Sequence, residues 1–358
     1  MRTRKERIQP AYPTTMWDIF VEQNTYGHFL QTSMWGDLKS KHGWSTDRAS
    51  LVNSESELAG GSLILFRRLP YGIGTIAYVP RGPVVNWDDR AIAVAAIQNT
   101  SKLARERGAI GMVVEPALLD TPSDQRTLTE AKLFPMSISA QPRRTIWVNL
   151  DVEEEVDILA AMKQKTRYNI GLAKRKGVTI REGGIDDLPM FYNLMQTTSE
   201  RNVFAIHPLE YYQTFMKTFA EGERRIASLL IAEFEHKPLA AMIAVAFSKR
   251  GTYLYGASSN EGRDLMPTYL LQWEAMRWSR LHGCVTYDLW GVPDQDEATL
   301  EANFKDRDDG LWGVYRFKRG FGGQIVRHIG AWGQVFQPLR WWLWQQAWKF
   351  RKTSGLSA

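Results

Sequence analysis

Cysteine is nearly absent from this chain, and a single Cys284 excludes an intramolecular disulfide framework. The six histidines are scattered without metal-ligand spacing, so no metal site is expected. No run of about 18 apolar residues occurs, and Met1 to Thr15 is basic and proline-containing without the apolar core of a signal peptide. A cytoplasmic protein that does not span a membrane is therefore expected. Gly-x-Ser-x-Gly and His-x-x-His are missing too, which removes serine, cysteine and metal hydrolases from consideration.

What is present points elsewhere. The 358 residues, 44% hydrophobic, suffice for roughly two domains of about 150 to 200 residues. A formal net charge of +6 favours acidic partners such as phosphates, nucleic acid or an anionic membrane surface.

Periodicity gives one order of elements twice. Ser62 to Arg67 and Gly74 to Val79 read as strands, Ala91 to Arg107 as a helix and Ile110 to Glu115 as a strand. Arg225 to Phe234, Ala240 to Phe247 and Thr252 to Ala257 then read as strands, Thr268 to Leu281 as a helix and Val285 to Leu289 as a strand. The sequence is not repeated, so the duplication is architectural. A boundary is expected near Gln141-Pro142.

This order resembles the acyl-CoA N-acyltransferase (GNAT-like) fold, which splays two strands to admit an acyl donor. The resemblance implies an α+β chain of two tandem GNAT-like domains packed together: residues 1–144, completed by 330–358, and residues 145–329. In that fold a glycine-rich turn holds the pyrophosphate of coenzyme A on backbone amides. The equivalent turns here, Ser258 to Pro267 and Arg81 to Trp87, lack the usual pattern. An acyl-CoA-dependent N-acyltransferase acting on a small amine or peptide is the alternative reading.

Five segments carry a second resemblance. Phe29 to Lys39 followed by Gly43-Trp44, Tyr78 to Pro83, Lys163 to Ile170, Tyr287 to Gly291 and Phe317 to Gly323 occur in order and at suitable spacing. Together they resemble the Fem-type (FemABX) aminoacyltransferases that build peptidoglycan bridges. No long charged heptad run is present, so the chain is similar to the compact, armless members. The resemblance implies transfer of an amino acid from aminoacyl-tRNA, a co-substrate with no cofactor or metal, to an amino group of the stem peptide of lipid II or UDP-MurNAc-pentapeptide.

Attack of an amine on an aminoacyl ester passes through an oxyanion, which needs a preorganised donor or cation. By resemblance Lys318, expected in a glycine-rich turn, serves the ester carbonyl, and Phe317 stacks on the terminal base of the tRNA, with Arg316 and Arg319 beside it. A surface acid paired with Lys318 would be the bland account. Lys39 and Arg167, with Lys165 and Tyr168 at the start of a helix, are expected to hold the precursor and its diphosphate. A solvated basic face would also explain much of Lys163 to Lys176. Glu115 and Asp288 close corresponding strands; Glu115 is expected at the acceptor amine, Asp288 in a structural role. Tyr255 matches a site tyrosine of the family, or fills space between strand and helix.

Trp332, Trp341, Trp342, Trp344 and Trp348, with Lys349, Arg351 and Lys352, end the chain in a basic, tryptophan-rich stretch. Two accounts stay open: peripheral contact with the inner face of the plasma membrane, or completion of the first domain's core.

Overall fold

The computed structural model describes residues 14–222 and 224–353, with side chains through 346. The expected basic N-terminal residues 1–13 and the side chains of Trp348, Lys349, Arg351 and Lys352 lie outside the described residues. The chain forms two α+β units, one ending at Gln141 and resuming at His328, the other Pro142–Arg327.

In the first unit β1 (Ser45–Val52), β2 (Leu58–Arg68) and β3 (Thr75–Arg81) form an antiparallel meander, and β4 (Val84–Val85) pairs back on β2. The helix Arg90–Glu106 follows, with Asp89 accepting a hydrogen bond from the amide of Ile92 at 3.1 Å as its N-cap. Its buried residues Ala93, Ala96, Ile97, Thr100 and Ala104 recur at helical spacing, so one face lies on the sheet. The crossover delivers β5 (Ala109–Pro116) parallel to β3; every residue of β5 is buried, as an interior parallel strand requires. A short β6 (Phe134–Pro135) ends this part.

The second unit contains β7 (Arg144–Asn149), β8 (Thr179–Gly183), β9 (Ala227–Phe234), β10 (Lys237–Phe247), β11 (Arg250–Ser258), β12 (Thr286–Val292) and β13 (Gln324–Arg327), in the sheet order β13-β7-β12-β11-β10-β9-β8. Strands β8 to β11 are an antiparallel meander, and the helix Pro267–Leu281 crosses over to β12, which is parallel to β11. One core joins that helix, through Leu270, Leu271, Trp273 and Met276, to Met242, Ala244 and Tyr287 of the sheet.

The chain returns to the first unit as β14 (Trp332–Val335), which pairs with β5 and β6. The helix Pro338–Thr353 then buries Trp341 and Trp344 in a cluster with Ile76, Ile110 and Val113. Gly111 permits this approach, since a Cβ there would stand 2.5 Å from the Trp341 ring. Trp332, Trp341 and Trp344 thus complete the first unit's core, whereas Trp342 is exposed.

Candidate functional site

The two parallel pairs differ. Strands β3 and β5 stay paired from Thr75 to Arg81. Strands β11 and β12 pair only from Arg250/Thr286 to Thr252/Asp288. Beyond that point β11 follows β10 and β12 follows β7, and each bulges where they part. The β10–β11 register shifts between Ile243 and Ala244, leaving Leu254 as the extra residue. The β12–β7 register shifts between Asp288 and Gly291, and Trp290 there has φ 63°. A bulge bends its strand and strengthens its twist, so the two together open the sheet.

Lys318 reaches into this opening. Its Nζ donates to the carbonyl oxygen of Gly291 at 2.8 Å and lies 5.5 Å from the ring centroid of Tyr253, so it touches both parted strands. The side chain is buried, and burial pushes its pKa down to about 7 against the opposing pull of Asp288. Asp288 itself accepts from Thr145 Oγ1, from Trp147 Nε1 at 3.2 Å and from the amide of Trp290 at 2.7 Å. It holds the bulge together, in the structural role expected of it.

The expected turn around Lys318 needs correction. Tyr315 to Lys318 lie in the helix Trp312–Lys318, and the glycine turn comes after it, with Gly322 at φ 75° and Gly323 at φ 89°. A helix fixes the lysine's direction better than a turn, and the glycines serve close packing. A Cβ on Gly320 would meet Thr166 Oγ1 at 2.2 Å, and the Gly320 carbonyl accepts from the amide of Lys163 at 2.9 Å. Glu301 ties the helix down by accepting from Tyr315 Oη at 2.6 Å and pairing with Arg319. Arg319 also lies 3.7 Å from the Phe304 ring centroid. The Arg319 guanidinium, expected beside Phe317 at the tRNA end, is engaged as a brace of this helix. Arg316 is exposed; Phe317 is half-buried, edge-on to Tyr269 and Phe321 with centroids 5.0 Å from each.

Tyr255 lies on the same parted stretch of β11. Its hydroxyl donates to Tyr211 Oη at 3.4 Å, and its ring meets Tyr212 at 5.3 Å. His207 stacks on Tyr211 with centroids 3.9 Å apart. Burial raises the pKa of Tyr255 well above the usual phenol value and that of Tyr211 to about 12, so both phenols stay protonated. Sequence reasoning singled out Tyr255 but not the His207, Tyr211 and Tyr212 that pack around it. The doublet Tyr211-Tyr212, just after Pro208 at a helix start, was the available signal. On the helix Gln164–Arg175, Lys165 and Tyr168 are exposed. Arg167 donates to the carbonyls of Ala160 and Met162, so part of its fork caps the preceding helix.

Lys39 belongs to the first unit. Trp35 and Lys39 share a face of the helix Ser33–Ser40, and Lys39 Nζ lies 5.2 Å from the Trp35 centroid and 5.9 Å from that of Trp44. Arg67 lies 5.3 Å from the same Trp44 ring. Burial first, and Arg67 second, lower the pKa of Lys39 to about 8. Tyr78, whose ring is 6.3 Å from Trp44, connects this patch to Glu115 through a 2.5 Å hydrogen bond. The Glu115 carboxylate also accepts from Ser139 Oγ and from the amides of Ala140 and Gln141. Its lone pairs are thereby engaged, which corrects its expected role at the acceptor amine. It fastens the segment that leads out of the first unit.

Several amides at the two ends of the Ser258 to Pro267 turn are also engaged. Ser258 N donates to Thr198 Oγ1, Ser259 N to Leu239 O, Leu265 N to Gly262 O and Met266 N to Arg263 O, and Pro267 has no N–H. Among the described residues no cluster of His, Cys, Asp or Glu is arranged to hold a metal.

The model of the FemAB family matches residues 13–132, 125–237 and 222–349. Lipid II:glycine glycyltransferase of Staphylococcus haemolyticus is 25% identical over 397 aligned positions, covering 90% of this chain and 91% of the relative. The protein of that name from Staphylococcus aureus strain MRSA252 is 24% identical with the same coverage. An alignment longer than the 358 residues of this chain means that these relatives carry residues it lacks. A crystal structure of FemX superposes with a TM-score of 0.82 at 20% identity, over 93% of this chain and 98% of that one. The structure of L-PGS from Bacillus licheniformis matches with a TM-score of 0.53 at 12% identity, over 94% of each chain. At such identities the two structures speak for the fold.

Proposed function

The chain belongs to the FemAB family, and from that premise we propose that it is an aminoacyltransferase of peptidoglycan bridge formation. It moves an amino acid from aminoacyl-tRNA to an amino group of the stem peptide of a lipid-linked or nucleotide-linked precursor. The observation that carries this reading is Lys318 held between the parted β11 and β12, where the fold class admits an acyl donor. The relatives' name, lipid II:glycine glycyltransferase, supports the acceptor.

In the reaction the acceptor amine attacks the ester carbonyl. A C–N bond forms, the C–O bond to the tRNA ribose breaks, and the amine proton ends on the leaving hydroxyl or in solvent. Charge develops on the carbonyl oxygen, and the Lys318 ammonium is the preorganised cation that stabilises it. Phe317 and Arg316 flank the lysine on the helix side, as contacts for the terminal base and phosphate. Lys39 of the first unit, between two tryptophans and beside Arg67, is one contact for an anionic group of the precursor, and Lys165, Arg167 and Tyr168 of the second unit are the other candidates. Tyr255 stays protonated and lines the acceptor side. Contact with the inner face of the membrane runs through the tryptophan-rich tail.

A coenzyme A donor is less well supported, because the turn that would cradle its pyrophosphate has one glycine, carries Glu261 and Asp264, and spends several of its amides internally. The test gives the purified protein a precursor and either charged tRNA or acetyl-CoA, read by intact mass. An amino-acid increment with charged tRNA alone is expected. An acetyl increment would overturn the proposal.

A further inference from the structure

The first unit exposes large apolar side chains on two elements that rest on one core cluster. The tip between β2 and β3, Leu69 to Gly74, presents Tyr71 at 93% exposure in the left-handed region, φ 58° and ψ 23°. A bulky residue held there is uncommon and costs about 1 kcal/mol or more, which directs attention to what it does. The helix Pro338–Thr353 exposes Leu339 at 71%, Trp342 at 54% and Leu343 at 43%, spaced three and four residues apart, opposite the buried Trp341 and Trp344. Leu69 and Ile73 of the tip pack on the cluster that contains Trp341 and Trp344, so core contacts hold tip and helix side by side.

Charge selects the occupant. No Asp or Glu occurs between Glu57 and Asp88, a stretch that contains Arg67, Arg68 and the tip. None occurs after Asp309, whereas Arg340, Lys349, Arg351 and Lys352 all lie in the last helix. Acid-free, cationic segments suit an anionic partner. Exposed aliphatic side chains beside aromatic ones suit the headgroup and acyl boundary of a bilayer, where apolar surface leaves water while arginine stays at phosphate level. A nucleic acid would be met by cations and stacking rings, and would gain little from Leu339 and Leu343.

We propose that the β2–β3 tip and the outer face of the last helix form a two-point anchor on an anionic lipid surface, with Tyr71 at one point and Leu339, Trp342 and Leu343 at the other. This deepens the functional reading and rests on it where the acceptor is lipid-borne. Two points fix the orientation of the first unit at the bilayer, which one helix would leave free to roll.

The test floats the full chain on sucrose gradients with phosphatidylglycerol–phosphatidylcholine vesicles, with pure phosphatidylcholine vesicles and with added uncharged tRNA. Tyr71→Ser and the double variant Trp342→Ser/Leu343→Ser are compared with the wild type, their melting curves confirming folding. Flotation with anionic vesicles is expected, with each variant weakened by about tenfold and the combination by more. Absence of flotation, equal binding to neutral vesicles, a Tyr71→Ser variant that floats like wild type, or displacement by tRNA would each overturn the anchor. So would a wild-type dimer that the double variant abolishes in sedimentation, since a second copy would then be the occupant. Transfer to the soluble nucleotide-linked precursor, measured in parallel without vesicles, should be unchanged in the variants; its absence in every protein would count against the functional proposal and leave the anchor result intact.

Discussion

Lys318 donates a hydrogen bond to the carbonyl of Gly291, on the part of β12 that has already left β11. The lysine occupies the gap where a parallel ladder would otherwise continue. A buried ammonium with its pKa lowered to about 7 is costly, and Asp288 offsets only part of that cost. Replacement by Met should leave a folded protein, because a buried cation is removed along with one hydrogen bond. Transfer should fall by about two to three orders of magnitude, the usual loss on removing an oxyanion donor. Near-normal transfer by folded Lys318→Met would remove the lysine from the reaction.

The same lysine predicts two pH dependences. The unfolded chain keeps this proton up to about 10.5 and the folded chain gives it up at about 7. Between those values the unfolded state binds more protons, so this group's contribution makes stability rise with pH across that window. Below about 7 both states hold the proton and the burial penalty is fully present. Denaturant titrations from pH 6 to 9 should show this rise in wild type and a flatter profile in Lys318→Met. In single-turnover transfer the ammonium form is the active one, so the rise that deprotonation of the acceptor amine gives should level off above about pH 7. A rate that climbs steadily from pH 6 to 9 would assign the lysine to the neutral form.

The duplicated strand, helix and strand order was legible because the helix 90–106 and the interior strands β5 and β10 carry strong apolar patterns. Expected and observed elements differ by a few residues at their ends. The strands Arg144–Asn149 and Gln324–Arg327 were not legible: each is short and polar at its ends, and becomes a strand by pairing with the other and, for the first, with β12. The split between β11 and β12 was also hidden, because bulges at Leu254 and Trp290 leave no compositional mark. Lys318 was found by family pattern, but its helix was misread as a turn because Gly320, Gly322 and Gly323 dominate the local composition. Local reading cannot show that those glycines make room for Thr166, Ala161 and Trp147.

Gln31 shows the same limit. Its Nε2 donates to the carbonyls of Pro80 at 2.7 Å and Leu63 at 3.2 Å, and its Oε1 accepts from the amide of Leu63 at 2.8 Å. The fully buried side chain replaces the ladder where β2 and β3 separate. Gln31→Leu keeps the volume and leaves three backbone groups without partners, at about 1 to 3 kcal/mol each before relaxation. A loss of about 3 kcal/mol or more in urea unfolding is expected; a loss under about 1 kcal/mol would mean that β2 and β3 can close by themselves.

Glu115 separates scaffold from catalyst. Its carboxylate accepts from Tyr78, Ser139 and the amides of Ala140 and Gln141. Glu115→Gln turns an NH2 group towards donors, which should cost about 2 to 3 kcal/mol of stability. Transfer per folded molecule should stay within about threefold of wild type, whereas loss of a general base costs about a hundredfold or more. A hundredfold drop at unchanged stability would restore Glu115 to the acceptor amine.

The precursor contact proposed for Lys39 carries a pH dependence of its own. Burial and Arg67 lower its pKa to about 8, so the free protein loses this charge as pH rises through 8. An anionic ligand favours the ammonium, so binding should take up a proton near pH 8 and affinity should fall on the alkaline side. Calorimetry with the nucleotide-linked precursor in buffers of different ionisation enthalpy measures that uptake directly. Lys39→Ala should weaken binding by about tenfold or more and abolish the uptake, while Arg67→Ala, by removing the repelling neighbour, should move the transition upward. Trp35 and Trp44 remain in place in both variants and keep the fold. Equal affinity for wild type and Lys39→Ala at pH 7 would move the anionic group of the precursor away from this patch, leaving Lys165, Arg167 and Tyr168 to account for it.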